Sequence, residues 1–175
     1  MIRKILVATD GSPHGGRAMA LAAELSSKLG ADLTIVHVLM HGRPPPEFQR
    51  LAEVEHMIAH TAPEPAGDVR RLPSSMLDVL RSADTEARTA QVVAAIGDKI
   101  IRDANTMAVA LGAQNVATRI CVGDFADEIL EMAEFEKADM IVVGNRGLGR
   151  LRGAILGSVS HKVAQHAECS VTIVK

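Results

Sequence analysis

Short apolar segments alternate along most of the chain with longer segments that have the apolar periodicity of helices. The apolar segments read as buried strands: Lys4–Thr9, Asp32–Leu39, Asn115–Val122, Met140–Val143 and Ser170–Val174. Strands of this kind, separated by helices, are typical of a parallel sheet with helices on both faces. We therefore expect an α/β fold: a single doubly wound open parallel five-stranded sheet in the order 3-2-1-4-5.

Capping residues mark the predicted helices. Ser12 and Pro13 start the first helix and Gly30 ends it. The later helices are predicted at Asp84–Leu111, Phe125–Glu136 and Ser158–His166, the first of them with Val93, Ile96, Ile100, Met107 and Leu111 on its apolar face.

A less regular stretch interrupts this pattern at about residues 41–81, where prolines break the chain and only a short helix over residues 47–60 is predicted. The length of 175 residues is enough for one domain with a real core but short for two. We expect one domain over residues 1–175 that carries this insert.

Composition narrows the classes of partner. Apolar residues make up 47% of the chain but aromatic residues only 2%, so the core is expected to be aliphatic. The 19 basic and 21 acidic residues are intermixed and give a net charge of -2, which leaves no basic stripe for a nucleic-acid backbone. No segment approaches the roughly 20 apolar residues that span a bilayer, and the apolar run near Met1 is too short for a signal peptide. We expect a cytoplasmic protein that binds neither nucleic acid nor membrane.

The candidate chemistry lies where strands end, because ligands of open α/β sheets bind at the carboxyl ends of strands. Glycines are concentrated after the fourth strand, at Gly144, Gly147 and Gly149, and Gly157-Ser158 precedes the last helix. Glycine lets backbone N–H groups approach a phosphate, and a helix N-terminus adds free N–H groups and hydroxyl donors. Arg146, Arg150 and Arg152 add positive charge, although Arg146 also fits a solvated loop position. These residues predict a phosphate cradle.

Several segments together resemble the universal stress protein family, in its ATP-binding branch. The spacing of Gly144, Gly147 and Gly157-Ser158 matches that family's nucleotide-binding motif. The segments KILVATDGS at residues 4–12, His37-Val38 and CSVTIVK at residues 169–175 look like its other landmarks. The resemblance covers roughly residues 1–41 and 84–175.

The resemblance implies a role for each matching residue. It implies that Ala8, Thr9 and Asp10 border the nucleoside, with Asp10 contacting the ribose or a metal-bound water. Val38 would contact adenine through its backbone, and Val143 and Gly144 would lie against ribose and phosphate. The phosphates would be held by Gly147, Gly157, Ser158, Val159 and Ser160, near Arg146. The expected ligand is ATP with Mg²⁺, which prefers phosphate oxygens and water to a protein cage, so no separate metal site is expected.

Three classes of function remain open on the sequence alone. The first is a nucleotide-dependent regulator or stress-survival factor; the second is a slow ATPase or phosphotransfer protein; the third is a nucleotide-free interaction module. No catalytic residue is predicted, because no Ser-His-Asp order or carboxylate pair can be placed at the phosphate end. The last strand is expected at a sheet edge, where Val171–Val174 would pair with a second copy in a homodimer, as the resemblance also implies.

Overall fold

A computed structural model describes residues 1–39, 74–148 and 156–175, with the backbone alone for helix residues 74–86. The strands are β1 (Lys4–Ala8), β2 (Asp32–Leu39), β3 (Gln114–Val122), β4 (Met140–Gly144) and β5 (Ser170–Val174). The helices are α1 (Pro13–Leu29), α2 (Ser74–Ala110), α3 (Phe125–Glu136) and α4 (Ser158–His166). The chain forms two compact units, residues 1–39 with 97–175 and residues 40–96. The sheet and all of the candidate site residues belong to the first unit.

The five strands form one all-parallel sheet in the order β3-β2-β1-β4-β5, which confirms the predicted fold class and strand order. The central strand β1 pairs with β2 on one side and with β4 on the other. The strand order therefore reverses at β1, between its two neighbours. The carboxyl ends of β1 and β4 flank this reversal, which is where open α/β sheets bind ligands.

The core consists of two aliphatic layers, one on each face of the sheet. Side chains alternate between the faces along β1: Ile5 and Val7 pack with α1 and with α2 residues from Ile101 onward, whereas Leu6 packs with α3 and α4. All three side chains are buried. The central strands are thus fixed on both faces, and their carboxyl ends form a rigid base for the site.

The first helix begins and ends at the residues that the sequence predicts. The Ser12 hydroxyl accepts a hydrogen bond from the Gly15 N–H at 3.1 Å, as an N-cap does, and Pro13 follows at the first helical position. Gly30 ends the helix with a left-handed backbone, φ 65°. These caps fix the start of α1 directly beyond the end of β1.

The long helix α2 differs from its prediction in its start and in part of its buried face. It begins at Ser74, not at Asp84. Val93 and Ile96 are buried as predicted, but Met107 and Leu111 are 41% and 38% exposed, whereas Ala104 and Ala108 are buried. Toward its C-terminal end the helix thus buries small alanines and leaves larger apolar side chains partly exposed. The predicted helix over residues 47–60 and most of the predicted insert lie outside the described residues.

Candidate functional site

The candidate site lies at the carboxyl ends of β1 and β4. Ala8, the last residue of β1, pairs with Val143 on β4 and with Val36 on β2. The Thr9 N–H extends the ladder by one bond, donating to the Val36 carbonyl at 3.0 Å. Both strands then turn into loops at the same edge of the sheet, so the segments that come after them are brought together.

Asn145 joins the two glycine segments through its backbone. Its N–H donates to the Val174 carbonyl at 2.7 Å, which ties the loop to β5. Its carbonyl accepts the Gly157 N–H at 2.7 Å and the Ser160 hydroxyl at 3.1 Å, which ties the loop to the start of α4. These hydrogen bonds join the segment after β4 to the N-terminus of α4. Gly144 and Gly157, thirteen positions apart in sequence, thus lie in one structural unit.

Glycine is required in this unit because neighbouring atoms occupy the space of a side chain. A Cβ on Gly144 would lie 2.9 Å from the His14 carbonyl carbon and 3.1 Å from the Gly15 nitrogen, both backbone atoms. A Cβ on Gly157 would lie 3.2 Å from the Asn145 carbonyl oxygen. These contacts are tighter than ordinary van der Waals contact and explain why the site is built from residues without side chains.

The N-terminus of α4 is open. Its N-cap, Gly157, makes no side-chain capping hydrogen bond. The first-turn N–H groups of Ser158, Val159 and Ser160 have no partner within a helix, and the positive end of the helix dipole lies there. In α1, at the same edge of the sheet, the Ser12 hydroxyl takes the Gly15 N–H and Pro13 has no N–H to offer. Of the two helix starts, that of α4 is therefore the one with the geometry to accept an anion.

The carboxylate of Asp10 bridges two backbone segments. One oxygen accepts the Ser12 N–H at 3.0 Å, and the other accepts the Leu148 N–H at 2.9 Å. The second oxygen would also lie 2.5 Å from a Cβ on Gly147. Asp10 thus connects the end of β1 to the glycine loop.

His37, on β2, is buried beside the same strand ends. Its Nδ1 lies 2.8 Å from the Thr9 carbonyl oxygen. Because a carbonyl only accepts, Nδ1 carries the proton in this contact. Burial lowers the pKa of His37 from its ordinary 6.5, and the bond to Thr9 and the charge of Asp10 oppose that effect only partly. The ring is therefore held neutral near pH 7.

The structure places the twelve predicted binding residues at the carboxyl ends of β1, β2 and β4 and at the start of α4: Ala8, Thr9, Asp10, Val38, Val143, Gly144, Arg146, Gly147, Gly157, Ser158, Val159 and Ser160. Arg146 is exposed. The Ser160 hydroxyl is buried and already donates within the loop, to the carbonyl of Asn145 or of Gly157.

Sequence reasoning did not identify Asn145 or Leu148, because both act through backbone groups that any residue possesses. The Asn145 side chain carries one further signal. Its Oδ1 is buried, and no group in the described part of the chain donates a hydrogen bond to it. Buried acceptors of this kind are costly, and donors such as a hydroxyl or a water molecule satisfy them.

A metal site built only from protein ligands is absent from residues 1–39, 74–148 and 156–175, where no group of three His, Cys, Asp or Glu side chains converges. Over the same ranges, none of the helices has the length and apolar character that crossing a bilayer requires.

Comparison with known proteins gives a consistent result over the full length. A sequence model described as the Universal stress protein family matches residues 1–175. The chain is 33% identical over 175 residues to the universal stress protein YxiE of Bacillus subtilis, covering 100% of both. It is 30% identical over 176 residues to the universal stress protein Rv1636 of Mycobacterium tuberculosis, covering 98% of this chain and 95% of that protein. A solved universal stress protein in complex with cAMP is 26% identical, with a TM-score of 0.59 and coverage of 99% of this chain and 97% of that one.

Proposed function

This chain belongs to the universal stress protein family, and we propose that it binds ATP, or a related adenine nucleotide, with Mg²⁺ at the carboxyl ends of β1 and β4. The expected consequence of binding is regulatory: the bound nucleotide changes the conformation of the protein and so changes which other molecules it binds. The proposed function is that of a nucleotide-dependent regulator or stress-survival factor.

The observation that carries this proposal is the open N-terminus of α4 beside Asn145, the residue that follows β4. The Gly157 N–H donates to the Asn145 carbonyl, so this contact is made before any ligand arrives. The next three N–H groups have no partner within the helix, and the N-cap Gly157 has no side chain to offer them. A cluster of free N–H groups at a helix start, approached over glycines, is the arrangement that binds phosphate.

Backbone groups at the end of β2 offer a place for the base. In a parallel ladder alternate residues turn their N–H and C=O toward the same neighbour. The Val36 carbonyl accepts the Thr9 N–H in the last backbone hydrogen bond between β2 and the end of β1. Val38, two residues later, therefore turns its N–H and C=O to the same side as Val36, but beyond the end of β1. Adenine pairs its edge with groups of this kind. The cAMP complex of the 26% identical relative supports an adenine ligand.

The charges of the site favour a nucleotide that brings a cation. Asp10 places a carboxylate against the glycine loop, and this negative charge opposes the approach of a free triphosphate. Mg²⁺ bound to phosphate oxygens offsets that repulsion and needs no all-protein cage. Arg146 on the same loop is the proposed basic contact.

Two further parts of the proposal concern the state of the protein. We propose a homodimer through β5, the sheet edge next to β4. A cytoplasmic location stays a prediction from the sequence. Slow hydrolysis or phosphotransfer remains the alternative function of the same site, and phosphate release measured over hours separates it from ligand binding alone.

Substitution of Gly157 by valine tests the cradle. A Cβ at this position would lie 3.2 Å from the Asn145 carbonyl oxygen and 3.5 Å from the Arg146 Cα. The two methyl groups of valine add further bulk there, so the segment of Asn145 and Arg146 should be displaced from the start of α4. ATP at about 100 times its dissociation constant should stabilise the wild type by roughly 2.7 kcal/mol. That corresponds to about 5 to 10 °C in melting temperature for a domain of this size. Gly157→Val should lose this shift.

Gly16→Ala serves as the matched control, because a Cβ at Gly16 meets nothing within 4 Å. This variant should keep the full ATP-dependent shift. An equal ATP shift in the wild type and Gly157→Val, or no shift in either, would show that the cradle is assigned wrongly.

A further inference from the structure

The Asp10 carboxylate makes contacts that a residue serving only as a ligand contact would not need. Its two oxygens accept two backbone N–H groups, one from Ser12 and one from Leu148. The bond to Ser12 spans two residues and forms the local turn that starts α1. The bond to Leu148 spans 138 residues and joins β1 to the loop that follows β4.

Close packing fixes the carboxylate in this position. A Cβ on Gly15 would lie 2.8 Å from one Asp10 oxygen, and a Cβ on Gly147 would lie 2.5 Å from the other. The carboxylate is therefore held between two glycine backbones, one on α1 and one on the loop. A larger residue at either glycine would push the carboxylate off its partner.

The negative charge of Asp10 opposes the binding of an anion, so attraction to phosphate cannot explain why this residue lies beside the proposed phosphate cradle. An ionised carboxylate that accepts backbone N–H groups makes hydrogen bonds about twice as strong as those between neutral groups. While the Leu148 N–H donates to Asp10, it is not available to donate to a phosphate. This hydrogen bond therefore fixes the orientation of the loop and does not contribute a donor to the ligand.

We propose that Asp10 is a positioning residue: it latches the loop of Gly147 and Leu148 to the end of β1 and so presets the phosphate cradle. The effect on nucleotide affinity rests on the proposed function, but the latch itself is a property of the free protein. The latch acts on phosphates through the loop, so it affects nucleotides in proportion to their phosphate contacts and independently of metal.

Asp10→Asn removes the hydrogen bond to Leu148 but keeps the one to Ser12. The asparagine oxygen keeps the local turn to Ser12, a bond that Asn makes as readily as Asp. Its NH₂ group then faces the Leu148 N–H, donor against donor, and the latch is lost. Hydrogen exchange measured by NMR on the nucleotide-free protein should show the Leu148 amide exchanging at least about tenfold faster, with the Val7 amide in β1 unchanged. Unchanged exchange at Leu148 overturns the latch.

Binding of adenosine, AMP and ATP, each with and without Mg²⁺, tests what the latch does. For Asp10→Asn we expect about a tenfold loss in affinity for ATP with Mg²⁺, a smaller loss for AMP and no loss for adenosine. ATP without Mg²⁺ should lose less, because the substitution also removes the negative charge that opposes the bare triphosphate. A loss for ATP with Mg²⁺ and none for AMP without Mg²⁺ assigns Asp10 to a metal-bound water, and an equal loss for adenosine assigns it to the ribose. A gain in ATP affinity shows that its charge alone matters. Each of these three results overturns the proposal.

Gly147→Ala disrupts the contact between Asp10 and the loop without changing any charge, because the added Cβ would lie 2.5 Å from the Asp10 oxygen. The double variant Asp10→Asn with Gly147→Ala should lose no more ATP affinity than either single variant, and additive losses contradict a shared contact. If the wild type binds no nucleotide, the proposed function fails along with the affinity effect, while the Leu148 exchange rate still decides whether the latch exists.

Discussion

Gly144 and Gly16 lie on two segments that meet at the site, yet their surroundings differ completely. A Cβ on Gly144 meets backbone atoms of α1 at 2.9 to 3.1 Å, whereas one on Gly16 meets nothing within 4 Å. Backbone atoms cannot give way as a flexible side chain can. The first glycine is therefore required by the contact between β4 and α1, and the second is not.

Gly144→Ala should lower the free energy of unfolding by about 1–3 kcal/mol, the usual cost of forcing extra atoms into a packed position. Gly16→Ala should raise it by up to about 1 kcal/mol, because alanine favours the helix over glycine. Urea unfolding of the two variants beside the wild type measures both. Equal effects at the two positions would contradict the close contact between β4 and α1.

His37 should make stability depend on pH. Burial lowers its pKa in the folded protein below the ordinary 6.5, so the unfolded chain binds the proton more readily than the folded one. Stability from this group is complete above about pH 6.5 and is lost as the pH falls from there toward the lowered pKa. The loss within that window is at most about 1.4 kcal/mol per pH unit.

The variant His37→Asn isolates this effect. Asparagine cannot titrate but still carries an amide donor that can reach the Thr9 carbonyl, which His37 contacts at 2.8 Å. The wild type should lose more stability than the variant as the pH falls below about 6.5 in urea titrations, while their curves run parallel above that value. Parallel curves throughout would show that His37 titrates alike in the folded and unfolded protein.

The position of the candidate site could be predicted from the sequence where it depends on residue type, but not where it depends on which backbone groups are hydrogen-bonded. Gly157 stands out by its spacing and its place before a helix. Asn145 and Leu148 do not, since their contributions are a carbonyl and an N–H that every non-proline residue has. The hydrogen bond from the Leu148 N–H to Asp10, on which the proposed latch rests, could not be predicted either, because the two residues lie 138 positions apart in sequence.

At the scale of elements, strand β5 at the sheet edge bears on the proposed dimer. The Ser170 N–H donates to the Asp139 carbonyl, and the Val174 carbonyl accepts from the Asn145 N–H. Because alternate residues of a parallel ladder face the same neighbour, Thr172 also faces β4, and Val171 and Ile173 turn their N–H and C=O groups outward. These outward groups are what the β5 of a second copy would pair with.

Ile173→Pro should therefore weaken the proposed dimer and spare the sheet. Proline removes an outward N–H, which an edge strand tolerates. Light scattering at micromolar concentration should give about twice 18.6 kDa for the wild type and a mass nearer 18.6 kDa for the variant. Thr172→Pro is the contrast, because it removes a donor to β4 and should destabilise the fold itself. A wild-type monomer excludes the dimer, and a dimer unaffected by Ile173→Pro places the interface elsewhere.

Helix α2 shows the limit of periodicity. Its apolar residues occur on more than one side, as in the consecutive pair Ile100 and Ile101, so spacing alone admits more than one buried face. The structure buries Val93 and Ile96 of the predicted face but continues with Ala104 and Ala108, and not with Met107 and Leu111. The earlier start at Ser74 was missed because the preceding prolines suggested a loop that continued further.

At the scale of the whole molecule, the fold could be predicted from the sequence because strands buried on both faces give continuous apolar segments. Helices α3 and α4 and strands β2 and β5 lie where the pattern predicts them, and the strand order is confirmed. The family model places the whole chain in the universal stress protein family. It does not decide which nucleotide binds or which response the bound nucleotide triggers, since function resides in sites and not in the fold.

The nucleotide content of freshly purified protein tests the central claim most directly. Acid extraction and chromatography, and then equilibrium titration of the emptied protein with ATP and Mg²⁺, measure whether a ligand is carried and how tightly it binds. We predict an adenine nucleotide bound at about one per chain, with binding lost in Gly157→Val and kept in Gly16→Ala. Wild-type protein that carries no nucleotide and fails to bind added ATP, AMP or cAMP would contradict the account.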